Sequence, residues 1–226
     1  MALDGAAHRG LVAGAGDSMT DGFSLAFWLK VDSTIAAGTR AAVVSIMSVA
    51  PSYRFVLTMN LGSYTALPRT HGCLWAFGSV WGVGNIVRST SLLDDAWHHI
   101  AVTYDSTSRD LTCYVDGLVE LQRAAGVALT IASTDTVNLG VYAAGAPANY
   151  MKGWLADAAI FAGESDAATV TALAAESDPR RHGAEHVYLC GDWDRSHHPA
   201  IIDRGRKRVN GAWVNTAITD YTVDGP

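Results

Sequence analysis

The sequence predicts an all-β protein: an antiparallel two-sheet β-sandwich with one short helix near residues 166–176. Three observations carry that reading. The dominant hydrophobic pattern has period two, which is the pattern of strands with one buried face. Short β-rich runs recur along the chain with turn residues between them, as sandwiches and barrels require. Only one stretch has helical periodicity, and one short helix cannot cover two faces of a parallel sheet.

In 23–31, Phe23, Leu25, Phe27, Leu29 and Val31 alternate with Ser24, Ala26, Trp28 and Lys30, and Asp21-Gly22 supplies a turn in front. Runs at 41–49, 53–61 and 73–77 follow, with Ala50-Pro51 between the first two. The run 97–104 follows Asp94-Asp95 and sets Trp97, His99, Ala101 and Thr103 on one side, with His98, Ile100, Val102 and Tyr104 on the other. His98 and His99 therefore point to opposite faces and cannot chelate one metal. Asp105-Ser106 turns the chain towards 111–115, and Asp116-Gly117 returns 118–122 beside it as a hairpin. Runs at 136–143 and 153–161 complete the set. In 166–176, Val170, Leu173 and Ala174 share one helical face, Ser165 or Asp166 can cap the start, and Pro179 follows the end.

The chain has 226 residues, enough for one large domain with a substantial core. Apolar residues at 49% and charged residues at 17% are a globular composition. A net charge of −6 argues against nucleic-acid binding. Charge is uneven: Lys and Arg against Asp and Glu number 9 to 16 in residues 1–179 and 7 to 6 in residues 180–226. The expected division is thus a sandwich over 1–179 and a C-terminal extension over 180–226, packing on the sandwich or on a neighbouring chain. Cys73, Cys113 and Cys190 are odd in number and share no metal spacing, which favours reduced core thiols. No window approaches transmembrane length, so no membrane partner is expected, and the N-terminus lacks the pattern of a secretory signal.

Residues 95–105, Asp-Ala-Trp97-His98-His99-Ile-Ala-Val-Thr103-Tyr104-Asp105, followed by Tyr114-Val-Asp116-Gly117, resemble the laminin-G-like, or concanavalin A-like, jelly-roll domains. Asp21-Gly22-Phe23-Ser-Leu-Ala-Phe-Trp28 resembles that family's first core strand, and Gly153-Trp-Leu-Ala-Asp157-x-x-Ile160-Phe161 its late strand. The resemblance implies a jelly-roll topology. It leaves function open, because the fold hosts lectins, adhesion modules, glycosidases and virus structural proteins.

Gly16-Asp17-Ser18-Met19-Thr20 also looks like the nucleophile block of the GDSL-type esterases, with Asp194-Arg-Ser-His197 in the place of their Asp-x-x-His block. An alternating strand follows Ser18 where the esterase needs a helix, and the chain contains no Gly-x-Asn. Ser18 is read as a loop residue. Glu164-Ser-Asp166 and Glu176-Ser-Asp178 begin the Glu-x-Asp-x-x-Glu strand of the concanavalin-like glucanases but lack the third Glu. No catalysis and no cofactor are expected. Calcium occurs in many relatives of this resemblance; Asp32, Asp105 and Asp135 could contribute, yet no calcium-loop spacing is visible and the metal stays unassigned.

Two binding surfaces are candidates. In the loop 62–72 and just beyond it, Tyr64, Arg69, His71 and Trp81 mix aromatic and hydrogen-bonding groups suited to sugar stacking. In the extension, Arg180, Arg181, Arg204, Arg206, Lys207 and Arg208, with the apolar anchors Trp213 and Tyr221, suit contact with another protein chain. His182, His186, His197 and His198 lie in the same segment without a zinc motif. The resulting expectation is a non-catalytic structural protein of an assembly: a virion component decorating a capsid or tail, made in a host cytoplasm and homo-oligomeric. The alternative is an extracellular carbohydrate-binding lectin or adhesion module for cell-surface glycans.

Overall fold

A computed structural model describes residues 2–4, 9–12, 15–34, 40–48, 53–60, 73–78, 86–87, 91–124, 128–142, 150–175, 177–188, 200–201, 204–207 and 211–214. In chain order the strands are β1 (Ala2–Asp4), β2 (Arg9–Val12), β3 (Gly22–Val31), β4 (Arg40–Met47), β5 (Tyr53–Asn60), β6 (Cys73–Gly78), β7 (Ile86–Val87) and β8 (Trp97–Asp105). They continue as β9 (Asp110–Val115), β10 (Leu118–Ala124), β11 (Thr136–Leu139) and β12 (Lys152–Ala162), then the helix α1 (Ala167–Ala174), β13 (His186–Tyr188), β14 (Ala200–Ile201) and β15 (Gly211–Val214). One sheet runs β1-β12-β3-β8-β9-β10 with β13 also on β12; the other runs β14-β15-β2-β11-β4-β5-β6-β7. This is the jelly-roll sandwich that the sequence predicts, with antiparallel pairing and one α-helix among the described residues.

The period-two pattern decides which face meets the other sheet. Phe23, Phe27, Leu29 and Val31 of β3, with Ile100, Val102 and Tyr104 of β8, are buried against Val44, Ile46, Phe55, Leu57 and Met59 of the second sheet. Phe23 packs its ring at 5.8 Å from both Phe55 and Tyr104. The Tyr104 hydroxyl escapes an unpaired burial by accepting from the Leu129 N–H at 2.9 Å. Cys113 is a buried core thiol.

The outer face of the first sheet carries a second, smaller core. There α1 lays Val170 and Leu173 over Ala26, Ala101, Tyr114 and Phe161. Asp166 caps the helix, its carboxylate accepting from the Thr169 N–H at 2.7 Å. Strand β11 ends earlier than the sequence run suggests, because Gly140 turns the backbone at φ +78°.

The Asp116-Gly117 hairpin has both residues at positive φ, 52° and 78°, the signature of a type I′ turn. A Cβ on Gly117 would also stand 3.3 Å from the Thr171 Cα and the Ala174 Cβ of α1. Gly117→Val is therefore expected to lower stability by about 1–3 kcal/mol, read as a clear fall in melting temperature; an unchanged melt would contradict this turn.

The described parts of 180–226 pack on this chain's own sandwich. β13 pairs with β12, and Ala184, His186 and Val187 are fully buried. β15 pairs with β2 in the other sheet, with β14 on its outer side. β13 finds its place because β12 is long enough to leave a stretch of its edge beyond the part that β1 occupies.

Candidate functional site

Among the described residues, the outer face of the first sheet divides at mid-strand. Towards the end of β3 where Gly22 lies, α1 covers it. Towards the other end a row of aromatic side chains stands without a helix over it. The register builds this row: Lys30 of β3 is flanked by Trp154 of β12 and Trp97 of β8, and one rung further Trp28 lies between Ala156 and His99. Residues opposite each other in an antiparallel pair share a face, so Trp28, Lys30, Trp97, His99 and Trp154 all point outward. Trp28, Trp97 and Trp154 are each half-buried. Trp97 and Trp154 sit two strands apart, about 10 Å.

Two contacts fix the row. The Lys30 ammonium lies 5.3 Å over the Trp154 ring, a cation–π geometry. His99 meets Trp28 edge-on at 5.3 Å. His99 itself is 2% exposed, and its Nδ1 has no hydrogen-bond partner among the described residues. Burial favours the neutral imidazole and pulls the His99 pKa down from 6.5 to about 4, with the nearby Asp116 charge opposing.

Carboxylates rim the same end of the sheet. His98, on the opposite face from His99, is held between Asp116 (Nδ1 to Oδ2, 2.8 Å) and Asp94 (Nε2 to Oδ2, 3.0 Å). Asp116 also accepts from the His99 backbone N–H at 2.9 Å. Asp95 accepts from the Ser33 hydroxyl and N–H at 2.6 and 2.9 Å, and these bonds hold its carboxyl below the usual range. Asp32 is likewise lowered, first by its bond from the Thr34 hydroxyl, and it pairs with Lys152 at 3.0 Å. For Asp94, burial alone would raise the pKa, but bonds from the Ala96 N–H and His98 outweigh it and the net shift is downward.

The other expected sites fare differently. Tyr64, Arg69, His71, Trp81, Arg208 and Tyr221 lie outside the described residues, as do Asp194, His197 and His198; Trp213 falls in β15, opposite Gly10. Arg180 spends its guanidinium on Asp178 at 2.7 Å, Arg206 reaches Glu185 at 3.3 Å and Lys207 reaches Asp17 at 2.7 Å. Arg181 and Arg204 are exposed, and the Arg204 N–H donates to the Val187 carbonyl. Of these contacts, Lys207 with Asp17 joins the extension to the sandwich, while those of Arg204 and Arg206 lie within the extension.

Ser18 is not in a loop but in a 3-10 turn, Ala15–Met19, and its hydroxyl lies 3.0 Å from the His186 Nε2. The spacing is that of a nucleophile and its base. Yet Ser18 is 6% exposed and His186, itself on β13, 0%, so the pair is closed to solvent and ties the extension to the sandwich. Glu164 lies near the Thr103 hydroxyl at 3.4 Å while Asp166 caps α1, so the two do not form a facing carboxylate pair. The three aspartates named for calcium lie apart: Asp105 pairs with Gly22 at one end of the β3–β8 ladder, Asp32 follows the other end, and Asp135 meets Arg54 at 3.1 Å. Among the described residues no group of three or more His, Cys, Asp or Glu could hold a metal.

The family model of the concanavalin A-like lectin/glucanase superfamily matches residues 4–171, and the chain belongs to that superfamily. No curated protein sequence matches it. Among solved structures it is similar to a candidate carbohydrate-binding protein from Bacteroides ovatus, with TM-score 0.73 and 16% identity over 99% of this chain and 61% of that one. This chain thus spans less than two thirds of that neighbour's length. It is also similar to a heptameric pentraxin from Limulus polyphemus (TM-score 0.55, 13% identity, 76% of this chain and 80% of that one). A third neighbour is domain 4 of an extracellular arabinanase from Geobacillus stearothermophilus, solved with arabinotriose (TM-score 0.54, 17% identity, 76% of this chain and 75% of that one). At these identities the likeness concerns the fold.

Proposed function

We propose that the protein is a non-catalytic carbohydrate-binding module that holds its saccharide on the outer face of the first sheet. The observation that carries this is the register-built row of Trp97, Lys30 and Trp154 with Trp28 behind it, left half-buried beyond the reach of α1. Half-buried indoles on a rigid sheet offer flat, electron-rich faces to the C–H faces of sugar rings, at little entropic cost because neighbouring strands already hold them. The polar groups at the edges of the row fit the hydroxyls. A superfamily that includes lectins, and structural neighbours that include a candidate carbohydrate-binding protein and a domain solved with arabinotriose, support the same reading. The assembly reading rested on a basic extension in want of a neighbour, and the described basic pairs meet acidic partners within the chain.

A glycan array probed with the protein tests this. Specific saccharide binding is expected, with Trp97→Ala and Trp154→Ala each weakening it about tenfold or more at unchanged circular dichroism. Binding that neither substitution alters would remove the site, and an array without any specific binding would remove the function.

A further inference from the structure

Within the carbohydrate-binding reading, on which this step rests, we infer that the row takes a saccharide bearing free amino groups, whose ammonium replaces Lys30 over the Trp154 ring. The first observation is that the chain already places a cation there: the Lys30 ammonium stands 5.3 Å over that indole. An internal cation on an aromatic face shows that the face accepts one, and a flexible lysine stem lets it be displaced. The second observation is the rim. Asp94, Asp95 and Asp116 are exposed at this end of the sheet, Asp94 and Asp116 holding His98 and Asp95 bonded by Ser33, whereas the described lysines there are Lys30 itself and Lys152, which is occupied by Asp32. Among the described residues at this end of the sheet the carboxylates outnumber the lysines, a balance that draws cations and repels acidic sugars. The third is His99: its ring packs on Trp28, and its buried Nδ1 has no hydrogen-bond partner among the described residues. An aromatic surface with an acidic rim gains from a ligand that is both a stacking ring and a cation, and a glucosamine unit is both.

The test is calorimetric titration of the intact protein with a β-1,4-linked glucosamine tetramer and with the same tetramer fully N-acetylated. The free-amine tetramer is expected to bind about tenfold more tightly at low salt, and the difference should shrink as salt screens the exposed rim. Lys30→Met, which removes the internal competitor, is expected to tighten binding of the free-amine tetramer about threefold. Equal or tighter binding of the acetylated tetramer, or weaker binding by Lys30→Met, overturns the inference. The carbohydrate reading survives that result if Trp154→Ala still weakens the tighter ligand; if neither tetramer nor any neutral saccharide binds, both fall together.

Discussion

A chain shortened by residues 180–226 is expected to lose the folded sandwich. Three losses coincide. β12 loses β13 along Ala158–Ile160, and the outer core loses the fully buried Ala184 and Val187 from beside Phe161, Val170 and Leu173. β2 loses β15, which lies between it and β14. Ser18 loses His186, and residues 204–207, which bond to the backbone of Ala184, Glu185 and Val187, go with the rest. Burial of Val187 alone is worth about 1.5–3 kcal/mol against a total stability of about 5–15 kcal/mol, and the lost strand pairing of β12 and β2 adds to it. Thermal melts followed by near-ultraviolet circular dichroism should show no cooperative transition for the shortened chain. Ser18→Ala alone, which leaves the His186 Nε2 without its hydroxyl, should cost about 1–3 kcal/mol. A shortened chain that melts at the full-length temperature would contradict the integration of the extension.

Acid should destabilise the protein well above the carboxylate range, and His99 is the reason. The folded protein holds this imidazole neutral down to about pH 4, whereas the unfolded chain protonates it near 6.5. Between those values the unfolded state binds the extra proton, so stability is full above pH 6.5 and declines as pH falls towards 4. The decline amounts to about 3 kcal/mol. Asp32, Asp95 and Asp105 are held below their ordinary 3.8, so the stability they give is lost only at lower pH, and the two windows separate. Denaturant unfolding at pH 7 and pH 4.5 should show the drop in the native protein and a much smaller one in His99→Phe. An identical drop in both would move the cause elsewhere.

The fold was legible because alternation in β3 and β8 is strong and the Asp116-Gly117 turn is unambiguous. Trp28 and Lys30, and Trp97 and His99, could be put on one side of their own strands by period alone. That those sides coincide, that β12 brings Trp154 alongside, and that α1 stops short of them are facts of long-range pairing, which period cannot supply. The same limit hid the role of β13. His186 stands in a charged segment that reads as surface, and only its pairing with Ile160 shows it to be interior. Gly-Asp-Ser at 16–18 misled in the other direction: the serine does find a histidine, but one on a strand and away from solvent.

The indole N–H signals of the seven tryptophans report directly on the location of the binding face. With nitrogen-15 labelling, titration with the saccharide that binds best should move the signals of Trp28, Trp97 and Trp154 and leave the rest in place. If those three stay still while Trp81, in the loop region, moves, the saccharide binds elsewhere and the outer face of the first sheet is not the site.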